Sequence, residues 1–215
     1  MSSPEGGQVL FDGDLDPGLD IPALWESGKT LGELEAKSDM RQVGNLLIRE
    51  HASWRFEHED IKSARAMQAR IDTADRHFQQ LRHLGMRIVT HATVVNDNDE
   101  WPVNPHANDG LTVVSYSASA YIPNLMPLDA PDALTTVPKA HVERVIFDPI
   151  RKYMEWGNST GEPILLFDLF TADQYSWHED TSVVFLHDID PHLGPREEIA
   201  DVMEEDLEDF FTPIG

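Results

Sequence analysis

Cysteine is absent from these 215 residues. That excludes disulfides, thiolate nucleophiles, iron–sulfur clusters and cysteine-based zinc sites. Lysine is scarce, with five (Lys29, Lys37, Lys62, Lys139, Lys152) against eleven arginines. No apolar run approaches the roughly 18 residues a membrane span needs. The start, MSSPEGGQ, has neither the charged nor the apolar region of a classical secretory signal. The expectation is a chain that neither spans a membrane nor is secreted by such a signal. The common catalytic signatures are missing as well: the phosphate-binding loop, the dinucleotide glycine motif and the serine elbow. His58-Glu59 is followed by Asp60-Ile61-Lys62, so H-E-x-x-H is not completed. The oxygen-rich run Val95–Glu100 (VNDNDE) lacks the sixth-position glycine and twelfth-position glutamate of a calcium loop. No cofactor is expected.

What is present in excess is negative charge. Sixteen basic residues face thirty-nine acidic ones, for a formal charge of −23. Self-repulsion of that size strains a compact fold in dilute salt. In molar salt the Debye length falls to about 3 Å and the strain fades. Abundant carboxylate, little lysine and no cysteine resemble the proteins of salt-in halophiles, haloarchaea above all. The setting expected is a high-salt cytoplasm or a virion. Residues 1–36 carry eight acids and one base, residues 196–215 eight acids and one base, and residues 37–87 ten bases and seven acids. A mildly basic middle between acidic ends fits a solvated helix face. It equally fits a segment that docks on acid from its own ends or from a neighbour. Direct nucleic-acid binding is not expected, because attraction to phosphate needs a positive footprint.

Hydrophobic residues make up 40% of the chain, enough for a core. Residues 1–22, rich in Gly, Pro and Asp, read as an extended arm, residues 23–195 as a single α+β domain, and residues 196–215 as an acidic amphipathic helix opened by Pro195. Ser38 and Asp39 are placed to cap a helix over 40–50, with Met40, Val43 and Leu47 on one face. Ile61, Ala64, Met67, Ile71, Ala74, Phe78 and Leu81 step by three or four, which predicts a helix over 57–84 stopped by Gly85. Strands are predicted over 86–95 and 111–122, the second with a wet serine face (Ser115, Ser117, Ser119). The prolines Pro123, Pro127, Pro131 and Pro138 predict a surface loop. His141–Phe147 is ambiguous between strand and helix. Asp148 predicts the cap of a short helix ending at Gly157. The apolar runs 163–171 and 182–189 predict the central strands. Together these give an α+β fold: N-terminal amphipathic helices on a mostly antiparallel sheet of about four strands, closed by the acidic C-terminal helix.

One constellation carries chemistry. His187, Asp188, Asp190 and His192 form H-D-x-D-x-H, with His178 and Asp180 upstream. In a hairpin the two groups could supply an oxygen/nitrogen metal site or an acid–base pair. On a strand, however, His187 and Asp188 point to opposite faces, which splits the potential ligands and favours a plain polar strand end. Trp156, Tyr175 and Trp177 read as packing groups. Ile199, Met203, Leu207 and Phe210 form the apolar stripe of the last helix and are the interface candidates. The function expected is a non-catalytic structural or assembly protein that works with protein subunits in a homo- or hetero-oligomer, such as a virion connector or tail-completion component. The alternatives are a metal-dependent enzyme around His178 and His187, and an acidic regulatory binding protein or DNA mimic.

Overall fold

The computed structural model describes residues 10–16, 18–30, 40–52, 64–95, 114–162, 164–166, 169 and 171–195. Its elements are α1 (Ile21–Ser27), β1 (Lys29–Thr30), β2 (Met40–Val43), β3 (Leu46–Ala52), α2 (Ala64–His83), β4 (His91–Val95), β5 (Val114–Ala120), β6 (Leu125–Pro127), α3 (Ala133–Thr136), α4 (Lys139–Val142), α5 (Asp148–Thr160), β7 (Ile164–Leu166), β8 (Tyr175–His178), β9 (Val183–Leu186) and β10 (Leu193–Pro195). The fold is α+β, as the sequence predicts. One sheet runs β1-β2-β3-β5-β4, a second β6-β8-β9, and β7 with β10 makes a short ribbon. Every pairing between these strands is antiparallel.

The five-stranded sheet has two unlike faces. Ile48, Tyr116 and Ala118 point to one, where α1 covers them with Ile21 and Trp25 in a small core. Asp20 caps α1 by accepting from the Ala23 amide at 3.1 Å. The Arg41 guanidinium lies 4.1 Å from the centre of the Trp25 ring. The other face carries Leu47, Arg49, Ser117 and Ser119, and it looks toward the main core. That core joins α2, α5 and the second sheet through Phe78, Leu81, Ile150, Tyr153, Phe185 and Leu186. Residues 10–15 bind beside the approach to β4: the Asp12 amide donates to Ile88 O and the Thr90 amide to Leu10 O.

The helix stripe is where the spacing placed it, for Met67, Ile71, Ala74, Phe78 and Leu81 are all buried on α2. Gly85 follows with φ 102, a conformation that side-chain-bearing residues rarely adopt. Its predicted first turns, 57–63, lie outside the described residues.

Several expectations are corrected. Residues 40–50 form a hairpin, not a helix: Val43 pairs with Leu46 across Gly44-Asn45, and Gly44 takes φ 58. That is the two-residue turn a Gly-Asn step favours. The serines of β5 are not wet, since Ser115, Ser117 and Ser119 are 0%, 3% and 8% exposed beneath a second layer. The proline-rich stretch is not a plain surface loop. It holds β6 and α3, and buries Leu128, Ala133 and Val137. Residues 139–160 form one helical run, α4 and α5 joined by a π-helical turn over Glu143–Phe147, so Asp148 caps nothing. The run passes through Gly157 and stops at Gly161. The apolar segments are not central strands: among the described residues β7 pairs only with β10, and β9 ends the three-stranded sheet. Pro195 is the last residue of β10. The predicted helix over 196–215 lies outside the described residues.

Candidate functional site

The serine-bearing face of the first sheet and the β6-β8-β9 sheet diverge to leave an open cleft of about 550 Å³. Met40, Leu47, Tyr121 and Leu125 supply apolar wall. Arg49, Ser176, His187 and Asp188 supply polar groups, and Asp129 and Asp173 add carboxylate. A mostly apolar concavity with a few convergent polar groups is the usual form of a binding site.

Arg49 on β3 is the electrostatic centre. Its Nη1 donates to both oxygens of Asp188, at 3.1 and 3.2 Å, and lies 3.7 Å from Asp190. The Arg49 and Asp188 side chains are only 23% and 22% exposed, so water screens the pair poorly. Behind it, Arg70 of α2 donates to the Pro191 and Leu193 carbonyls at 2.8 and 3.2 Å, which ties the segment after β9 to the helix. Burial lowers the Arg70 pKa, and the Asp190 carboxylate partly offsets this.

On the opposite wall Ser176 Oγ and His187 Nδ1 are 3.1 Å apart across β8 and the end of β9. Ser176 is 2% exposed and lines the cleft. The His187 amide donates to Gln174 O at 3.0 Å, which fixes the backbone beside the ring.

The structure separates the residues of the histidine–acid constellation. His178 and His187 share a face of the β8–β9 pair but sit at opposite ends, about 13 Å apart along the strands. His178 Nδ1 bonds Thr181 Oγ1 at 2.8 Å, while its Nε2 is 3.9 Å from Asp180. Asp188 turns to Arg49, and His192 lies beside Asp188 and Asp190. Among the described residues no group of three or more His, Asp or Glu is placed to hold a metal ion. The interface candidates Ile199, Met203, Leu207 and Phe210 lie outside the described residues. Of the aromatics, Tyr175 is fully buried and donates to Leu169 O at 2.8 Å, and Trp156 stacks on Tyr153 with rings 5.8 Å apart.

Two other histidines are structural. The Leu166 amide donates to Tyr153 Oη at 3.0 Å, and Tyr153 is 2.7 Å from His77 Nδ1. Nδ1 is the acceptor in reach of the phenol proton, which leaves His77 neutral with its proton on Nε2, a buried atom with no hydrogen-bond partner among the described residues. Burial holds the His77 pKa down at about 4. It does the same to His91, also at about 4, whose Nδ1 bonds Val89 O at 2.8 Å.

Of the seven described bases in the basic middle of the chain, four pair with acid from elsewhere in the same chain. Arg82 pairs with Asp14 at 3.3 Å, Arg76 with Glu162 at 3.3 Å, Arg49 with Asp188, and Arg87 with Asp12. Sequence reasoning missed Arg49, Ser176 and Tyr121 as cleft residues. No motif marks them, because the cleft exists only once two sheets face each other. No helix among the described residues is long and apolar enough to cross a membrane.

Comparison with known proteins gives no match to a family model, to a curated protein or to a solved structure.

Proposed function

We propose that the chain is a non-catalytic binding subunit of a larger protein assembly that works in concentrated salt. The observation that carries this reading is the open cleft between the sheets, walled by Met40, Leu47, Tyr121 and Leu125. Tyr121, 37% exposed, is the large hydrophobic residue left uncovered there among the described residues. Exposed aromatics beside a concavity are the usual anchors of protein interfaces. The intrachain pairing of the basic middle leaves surplus acid on the outside, which suits solubility in brine. A haloarchaeal virion connector or tail-completion component is the assembly such a subunit would serve. Light scattering on the full chain in molar potassium chloride tests the reading. A mass above the 24.3 kDa of one chain is expected, lost in Tyr121→Asp. A strict monomer at every salt and protein concentration refutes it.

The Ser176–His187 contact favours a second reading, acyl transfer in the same cleft. Ser176 Oγ would attack a carbonyl carbon as His187 Nδ1 takes its proton and returns it to the leaving alcohol; water would then release the acyl group. A fluorophosphonate probe should label the folded protein but not Ser176→Ala. Folded protein that takes up no label removes this reading.

A further inference from the structure

We infer that the cleft receives an arginine side chain, flanked by apolar residues, from the partner protein. The inference rests on the assembly reading above and deepens it. Arg49 is the cation of the cleft wall, and Asp188 and Asp190 already engage it. Asp129 and Asp173 of the lining are exposed, and among the described residues no cation is paired with either. The wall therefore carries net negative charge, on a chain of charge −23.

The same cleft is lined by apolar surface from Met40, Leu47 and Leu125 and by Tyr121, itself exposed. Carboxylates and apolar surface in one cleft complement a side chain with a long methylene stem and a cationic head. An aromatic face beside it adds cation–π attraction. Arginine fits better than lysine: its guanidinium is planar, weakly hydrated and able to serve two carboxylates at once. In brine, charge attraction survives only at contact range, since the Debye length is about 3 Å at molar salt. A cleft that removes both partners from bulk solvent preserves that contact, whereas an open acidic surface does not.

The test uses the full chain in molar potassium chloride. Its probes are an acetylated, amidated leucine-rich peptide with one central arginine, the same peptide with uncharged citrulline, and free guanidinium. The arginine peptide should bind about tenfold more tightly than its citrulline twin, read by calorimetry. Free guanidinium should bind far more weakly than the peptide, because it brings no apolar flank. Asp129→Asn with Asp173→Asn should erase the tenfold preference, and Tyr121→Ala should weaken the arginine peptide about fivefold. Circular dichroism checks that each variant is folded. Equal binding of the two peptides, or binding of neither by folded protein, overturns the inference. Either result can stand beside a mass above one chain in light scattering, so the assembly reading falls only by its own test.

Discussion

Arg49 and Asp188 stand 139 positions apart in the chain, yet the guanidinium reaches both carboxylate oxygens, at 3.1 and 3.2 Å. This pair ties the centre of the first sheet to the segment leaving the second, and both residues line the cleft. Replacing Arg49 by methionine keeps the stem but leaves Asp188 and Asp190 without their common cation. Since the pair is mostly shielded, the expected cost is about 1–3 kcal/mol, between the values for exposed and fully buried pairs. Urea melts measure it. A loss within error of zero would show that the cleft is held open by packing alone.

Salt separates this pair from the outer ones. Arg87, paired with Asp12, is 60% exposed, so Arg87→Met should matter in dilute buffer and fade in molar potassium chloride. The Arg49→Met loss should persist there. The wild-type thermal midpoint should itself rise as salt is added, because screening relieves the repulsion of a −23 chain. A midpoint that falls or stays level on going to molar salt would contradict the halophilic setting.

The sequence made α2 legible because a buried helix stripe is a local pattern. Met67, Ile71, Ala74, Phe78 and Leu81 repeat with the helix period, and Gly85 marks the end. The β2–β3 hairpin was misread because Met40, Val43 and Leu47 also step by three and four. The helical spacing takes no account of the Gly44-Asn45 step that turns the hairpin. The serine face of β5 was misjudged because alternation reveals two faces, not which of them a second layer will cover. Of the histidine–acid motif, His187 and Asp188 line the cleft, but not through the ligand spacing that singles the motif out. His187 meets Ser176 and Asp188 meets Arg49, partners whose sequence distance is beyond any spacing rule.

Acid should weaken the fold through its buried histidines. His77 and His91 have folded pKa values of about 4 against an ordinary 6.5. The folded state therefore binds fewer protons than the unfolded chain between those values. Their stabilisation is complete above about pH 6.5 and is lost as the pH falls toward 4. By pH 5 each should have given up about 2 kcal/mol. Asp75 works the other way. Burial, aided by the nearby Asp72 and Asp14 carboxylates, raises its pKa to about 6, so its contribution is present at low pH and lost as the pH rises through 6. Urea melts between pH 8 and pH 5 should show a net fall in stability, and His77→Gln should flatten it. An unchanged slope in that variant would mean His77 is already charged in the folded state.

Two buried tyrosines give a paired comparison of what a hydroxyl does. Tyr175 donates to one carbonyl, that of Leu169, at 2.8 Å. Tyr153 stands between two partners: it accepts from the Leu166 amide at 3.0 Å and donates to His77 Nδ1 at 2.7 Å. Desolvation raises both phenol pKa values, so both hydroxyls are protonated throughout the neutral range. Tyr175→Phe strands one acceptor, and carbonyls tolerate that comparatively well. Tyr153→Phe strands a donor and a ring nitrogen together, each costing about 1–3 kcal/mol when left unsatisfied in the interior. Tyr153→Phe should therefore be the more damaging of two substitutions that each remove a single oxygen. It should also loosen the hold of α5 on β7, read as faster amide exchange at Leu166. Equal losses from the two variants would mean that Leu166 and His77 find other partners once the hydroxyl is gone.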